Sequence, residues 1–324
     1  MIYAEQVYGK IEITEPVLLE LINSPPVQRL KGVGHGAYFS KYFPYKEPSR
    51  FDHCLGVMVL LKKFGASIEE QVAGLIHDAS HTAFGHVIDF ILGSGHLQNF
   101  QDNRHEEFIR RSGIPTILQK HGVDFNSILE EKNFPLLENK LPDICADRID
   151  YSLRWLTYYP PAKDFAQEFI KIFLSSLRVN GNKWVITDLK TAKKFVNIFS
   201  QLNLEIWAGP STAVMTVTLA NLLKYSIEKH YITMKDLDLT ESDVESKITP
   251  HLKSDNRLKV FFQRATHPHK FRDTQTTPDI QTSMKSRAID PWVGDKRYSE
   301  LVPEYKPVLE KTLKPVQYSL KLVE

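Results

Sequence analysis

Within residues 72–89 the chain sets His77, Asp78, His81, His86 and Asp89 among Val72, Ala73, Leu75, Ile76 and Ala79. The apolar positions recur at helical spacing, so the polar five stand on or beside a face meant for the core. A buried imidazole or carboxylate must be paired, hydrogen-bonded or bound to a metal. Imidazole with carboxylate is a standard ligand set for divalent ions. On one helix His77 and His81 lie one turn above each other, and His86 and Asp89, three apart, can meet. The chemistry implied is ion binding, with neighbouring imidazoles able to move protons near neutral pH.

An ion needs ligands from several segments held by rigid elements. A helix over 49–64 carries Val57, Leu60 and Phe64 on its core stripe, with His53 one turn before Val57 and turned inward. Arg50 stands at its start, and a guanidinium suits bidentate contact with phosphate. A helix from 141 has the core stripe Cys145, Ile149, Leu153 and Leu156, and it groups Asp147, Asp150, Tyr151 and Arg154 on a different face. That face reads as solvated unless a metal claims it. The best ligand set is then His53, His77, Asp78 and Asp147. Further on, Asn103 with Glu106 three residues later reads as a capping box. It puts His105 in a first helical turn, where the dipole disfavours imidazolium and favours an anion. His35 lies in an aromatic, glycine-containing loop over 35–39, of the kind that lines pockets.

The elements that must position these groups are mostly helical. Residues 1–12 predict a hairpin with Gly9 at the turn, 17–22 a short helix stopped near Pro25 and Pro26, and 177–186 a hairpin turning at Asn180–Gly181. Helices follow over 191–201 and 210–229, then an acid-rich segment over 237–246. From 252 the periodicity weakens into short strands and loops, with a helix near 303–312. The 324 residues, 42% hydrophobic and 25% charged, are those of an ordinary globular protein. A net charge of +2 favours neither nucleic acid nor membrane. No apolar run reaches the ~18–20 residues of a membrane span, and the first residues lack a leader pattern. Cys54 and Cys145 are too few for a disulfide framework, and a reducing, cytoplasmic location is the expectation.

The order His53…His77–Asp78…Asp147 resembles the HD-domain superfamily of metal-dependent phosphohydrolases, named for the adjacent His–Asp pair. The likeness extends beyond the ligands. Residues 49–56, SRFDHCLG, are similar to the family's SRFEHSLG, and GLIHD with His81, Phe84, His86 and Asp89 is similar to GLxHDxGHGPFxH…D. DRIDY at 147–151 resembles the closing DKxDY, and QRL at 28–30 the family's QRLR. The likeness is clearest over 1–230 and is closest to the deoxynucleoside triphosphate triphosphohydrolase branch. The chain departs from that branch in lacking two glycines and a proline at 79–83. It also has His35 where the branch often has glutamine, Trp155 in place of an acid, and Ile206–Trp207–Ala208–Gly209–Pro210 where the branch reads like VYxHKxxR.

The resemblance implies a mainly α fold: an HD-domain helical core over 1–230, small β-hairpins, and a mixed α/β accessory region over 231–324. It implies one divalent ion (Mn, Fe, Mg, Ni, Co or Zn) on the four ligands. His81, His86, Asp89 and His105 would serve catalysis, with His86 as general acid and Asp89 orienting an imidazole. Arg50 would hold a phosphate, and His35 and Tyr151 would lie near the sugar. The implied activity is hydrolysis of a phosphorylated small molecule of nucleotide type, and relatives of this kind often assemble as homo-oligomers. Two other classes compete: a two-metal phosphodiesterase or oxygenase using spare histidines, and a non-catalytic nucleotide-sensing module. In the tail, His267 to Arg272 and Ser283 to Pro291 concentrate cations. Lys285 and Arg287 are expected either to protect edge strands or to fold back onto the substrate's phosphates.

Overall fold

Capping and burial select the elements around the ligands. The structure is a computed structural model that describes residues 1–43, 46–267 and 270–323. His269, in the cationic tail, lies outside the described residues. Ser49 opens the helix Arg50–Lys63, its Oγ accepting from the Asp52 backbone N–H at 3.1 Å. From Arg50 to Leu61 every residue but Asp52 is buried, so this is a central helix, surrounded rather than one-faced. It packs on the helices Ile68–Ile76 and Ala146–Tyr158. Gly56 permits that approach, because a Cβ there would sit 2.0 Å from Arg154 Nη2 and 2.1 Å from Asp150 Oδ1.

The stretch over 72–89 is not one helix. The helix Ile68–Ile76 ends with His77 as its C-cap, and a short helix Val87–Ile91 resumes after His86. Between them the chain turns, with Phe84 and Gly85 at φ of 64° and 53°. His77 and His81 are therefore not stacked one turn apart, and the His81 N–H bonds back to the Asp78 carbonyl at 3.0 Å. Long-range partners take the backbone groups that would have continued the helix. Arg29 Nη2 donates to the carbonyls of Ala79 and His81 at 3.0 and 2.6 Å. The Ala83 N–H reaches the Leu237 carbonyl at 2.7 Å. The turn thus runs from the main buried cluster, which holds Ala79, to a second, which joins Ala83, Phe84, Val87 and Ile88 to Leu219, Leu237, Val244 and Leu258.

Two further helices start elsewhere than the sequence suggests. The helix Phe100–Arg111 begins before Asn103, because the buried Asp89 Oδ1 accepts from the N–H groups of Asn99 and Phe100 at 3.0 and 3.1 Å. No capping box forms at Asn103. Glu106 pairs with Arg110 at 2.7 Å, and His105 sits in mid-helix. The helix carrying Asp147 runs Ala146–Tyr158 and not from 141. Its first N–H groups, on Ala146 and Asp147, bond the Leu136 and Leu137 carbonyls at 2.7 and 3.2 Å, which places Asp147 in the first turn.

The hairpin Leu177–Asn180 with Lys183–Ile186 forms, but Asn180 pairs with Lys183, so Gly181 and Asn182 make the corner, Gly181 at a φ of 58°. The strand Lys183–Ile186 also pairs in parallel with Trp292–Val293. In the tail, Val316–Val323 lies between Lys270–Asp273 and Ile280–Met284 in an antiparallel sheet. A helix Asn256–Thr266, capped by Asp255, occupies a region that reads as strand and loop in the sequence. The helical run Leu189–Glu228 has the length and apolar composition of a membrane span, unlike the sequence-based expectation, and its apolar stretch is 61% buried inside the fold. Its second half, Pro210–Glu228, is a core helix packed on Val87–Ile91 and Asn256–Thr266. The architecture is mainly α with small sheets, as the sequence implies.

Candidate metal centre and its cleft

Three segments bring the four sequence-predicted ligands together. His53 projects from the central helix, His77 and Asp78 from the end of the helix Ile68–Ile76, and Asp147 from the first turn of Ala146–Tyr158. The Nε2 atoms of His53 and His77 lie 3.2 Å apart. Asp147 Oδ1 lies 2.9 Å from the former and 3.5 Å from the latter. Asp78 stands 3.9 Å from His53 Nε2 and 3.8 Å from His77 Nε2. Such separations are those of ligands sharing one ion about 2.0–2.2 Å from each. Two imidazole nitrogens facing each other across so short a gap, flanked by two carboxylates, suit a cation better than a single shared proton. The residues fit the group.

The surrounding charge works in the same direction. Burial lowers the pKa of His53 and of His77, but the adjacent carboxylates outweigh it and leave both raised. Burial raises Asp78 and Asp147, but His81, Arg50 and His77 around the first, and His53 and His77 around the second, hold both well below the usual carboxylate range. His77 Nδ1 bonds the Gly74 carbonyl at 2.8 Å, which leaves Nε2 for the centre.

Sequence reasoning missed what holds His53. Asp150, fully buried and not solvated, lies 2.8 Å from His53 Nδ1 and takes a bidentate contact from Arg154, both bonds at 2.9 Å. The signal was present: Asp150 follows Asp147 by three and precedes Arg154 by four, spacings that share one helix face. Gln101 was also missed; its Nε2 donates to the His77 carbonyl at 3.1 Å and lies 3.4 Å from Asp78 Oδ1.

The remaining sequence-predicted residues surround this centre. Arg50 Nη1 contacts Asp78 Oδ2 at 2.5 Å, and its Nε is buried without a partner among the described residues. His81 Nε2 lies 3.2 Å from Asp78 Oδ1, while its buried Nδ1 has no partner among the described residues. Burial and then Arg50 push the His81 pKa well down. His86, whose ring centroid is 5.1 Å from that of His81, sits 3.4 Å from Asp89 Oδ2 through Nδ1. Burial lowers the His86 pKa, against the raising pull of Asp89. His105 Nδ1 meets Ser80 Oγ at 3.1 Å. Its pKa falls to about 4 through burial and the His77 charge; in mid-helix the dipole has no part.

A cleft of about 840 Å³ opens over the centre, within the usual range for small-molecule sites. His35, Tyr151 and Trp155 line it, as do Lys285 and Arg287, folded back from the tail after the strand Ile280–Met284. Arg287 Nη2 donates to Gln98 Oε1 at 2.7 Å, and Lys285 Nζ to the Leu97 carbonyl at 3.2 Å. Glu138, Cys145 and Asp147 form a second cluster of ligand-type atoms. Arg148 occupies it, with Nη1 2.8 Å from Cys145 Sγ and Nη2 2.9 Å from Glu138 Oε1. A guanidinium there opposes a second ion.

Residues 50–156, which include all four converging side chains, match the HD domain family. The chain is 32% identical to the uncharacterized protein YdhJ of Bacillus subtilis, over 91% of this chain and 91% of that one. It is 28% identical to the metal-dependent phosphohydrolase cns2 of Cordyceps militaris, over 92% and 86% of the two chains. The solved structure of a phosphohydrolase from Bacteroides thetaiotaomicron superposes with a TM-score of 0.65 at 17% identity, over 98% of this chain and 99% of that one, a likeness of fold. Because the matched segment carries the helices that bear these four residues and the likeness to YdhJ runs nearly end to end, this chain belongs to the HD-domain family of metal-dependent phosphohydrolases.

Proposed function

We propose that this phosphohydrolase cleaves phosphoester bonds of a nucleotide or nucleotide-like substrate, with one divalent ion held by His53, His77, Asp78 and Asp147. The observation that carries the reading is the wall of the cleft above those four. It combines the cations Arg50, Arg148, Lys285 and Arg287 with the rings of Tyr151 and Trp207. Cations match phosphoryl oxygens, and amphipathic rings match a base and sugar. An ion on the four ligands supplies polarisation of a phosphoryl oxygen and a water of lowered pKa.

The chain's own groups do the rest. His86, oriented by Asp89, donates a proton to the leaving oxygen. His81 and His105 face the phosphates, and Arg50, Tyr151, His35, Lys285 and Arg287 hold the substrate. The test is metal analysis of the purified protein combined with phosphate release from ribo- and deoxynucleoside mono-, di- and triphosphates and from p-nitrophenyl phosphate. One ion per chain with release from a nucleotide is expected. Release from p-nitrophenyl phosphate alone would remove the nucleotide, and two ions per chain would favour a two-metal enzyme.

A further inference from the structure

One histidine of the cleft is wired differently from the others. The Trp155 indole Nε1 lies 3.1 Å from His35 Nδ1. An indole N–H is a donor and never an acceptor, so Nδ1 must offer a lone pair. The ring is then neutral and carries its single proton on Nε2, a tautomer assigned by the partner's chemistry. The surroundings hold the ring in that place. Trp155 is 2% exposed, in the core side of the helix Ala146–Tyr158. The His35 backbone N–H bonds the Pro48 carbonyl at 3.0 Å. The imidazole stands edge-on to His53, with centroids 4.7 Å apart, and a ring nitrogen of His35 lies within 4.8 Å of ligand atoms of His53 and Asp78. Its Nε2 has no partner among the described residues, and the residue lines the cleft.

We infer that His35 presents a fixed Nε2–H to the cleft as a hydrogen-bond donor for a phosphoryl or leaving oxygen, and that Trp155 is the positioning residue that sets this tautomer. A nitrogen carrying a proton has no lone pair for a metal, so the indole also removes His35 from the ligand set, although the ring stands close enough to join it. His53 and His77 are wired the other way: their Nδ1 atoms meet Asp150 and the Gly74 carbonyl, which leaves Nε2 for an ion. One cleft thus holds imidazoles assigned to opposite tasks by the partner on Nδ1. The donor role rests on the phosphohydrolase reading given above, whereas the tautomer does not.

Nitrogen-15 spectra of histidine-labelled, Zn²⁺-loaded full-length protein test the assignment, with His35 identified by its loss in His35→Gln. Protonated Nε2 with unprotonated Nδ1 is expected; a proton on Nδ1, or on both nitrogens, overturns the inference. His35→Gln should retain the wild-type ion stoichiometry, and loss of the ion would make His35 a ligand instead. For kinetics, the nucleotide of the panel above with the highest release rate is the probe. His35→Ala should lower kcat by about 100-fold, the scale for one donor to a developing charge, and His35→Gln, whose amide can still donate, should recover part of it. Trp155→Phe should lower kcat several-fold in the wild-type background and leave it unchanged in the His35→Gln background. An equal loss in both backgrounds would make Trp155 a packing residue and overturn its positioning role. Failure of the phosphohydrolase reading would show separately, in wild-type protein that releases no phosphate from any substrate of the panel while the tautomer is still read.

Discussion

Asp150 and His53 form a buried pair, Oδ2 to Nδ1 at 2.8 Å, inside the helix contact that also brings Asp147 to the opposite nitrogen of the same ring. One imidazole is therefore gripped on both sides by carboxylates three residues apart on one helix. Asp150→Asn takes the counter-charge from the buried Arg154 guanidinium and should lower the Tm, and in the protein that still folds it should weaken ion affinity by roughly 10–100-fold, as for other partners of ligand histidines. Isothermal titration with Mn²⁺ checks this, and unchanged affinity would make Asp150 a partner of Arg154 only.

Alanine at Asp147, or at both His77 and Asp78, should remove bound ion and activity together, because each change leaves an incomplete buried ligand set. Elemental analysis of the purified variants decides it. Stoichiometric metal in Asp147→Ala would show that the ion sits on other groups.

His86→Ala should keep the ion and lose activity by roughly 10²–10⁴-fold, the range for a general acid. The pairing with Asp89 sets a control. Asp89 also caps the helix Phe100–Arg111 through two backbone N–H groups, so Asp89→Ala should cost about 1 kcal/mol or more of stability besides activity. His86→Ala should show no such thermal shift. Loss of the ion in His86→Ala would instead mark His86 as a ligand.

Arg287→Ala should raise KM about ten-fold or more, given a charge-assisted contact of roughly 1.5–3 kcal/mol. The effect should grow from mono- to triphosphate substrates. Identical kinetics across the series would leave the folded-back tail as scaffold holding Gln98.

Glu47 and Glu241 provide a pH dependence of stability. Both are half-buried residues whose carboxyls bond backbone N–H groups of the loop before the central helix, Glu47 at Gly36 and Glu241 at Gly34. Burial raises Glu47 to about 7, and burial with the Glu47 charge raises Glu241 to about 8. A folded-state pKa above the unfolded value of 4.5 means that the stabilising contribution is full below pH 4.5 and is lost as pH rises towards 7 and 8. The Tm should therefore fall between pH 6 and pH 9, and fall less in Glu241→Gln, by differential scanning calorimetry at about these pH values. A parallel decline in both proteins would remove Glu241 from the account.

The amino-acid sequence by itself determined which side chains meet at the centre. His53, His77, Asp78 and Asp147 sit in helical patterns whose apolar faces must pack together, and that packing carries the ligands to one point. It also determined the mainly helical class, through periodicity that survives any arrangement of the helices. The local course of the backbone was decided by tertiary structure. Residues 77–86 read as a helix, yet turn because Arg29 and Leu237 take their backbone groups from a distance. The start of Phe100–Arg111 was set by Asp89 and not by the nearby Asn103, since the buried carboxylate takes the N–H groups of Asn99 and Phe100 and lets the helix begin a turn earlier. The same holds for the tautomers. Whether an imidazole offers a proton or a lone pair depends on the partner of its other nitrogen. For His35 that partner is Trp155, 120 residues away, which only the folded chain brings within hydrogen-bond reach.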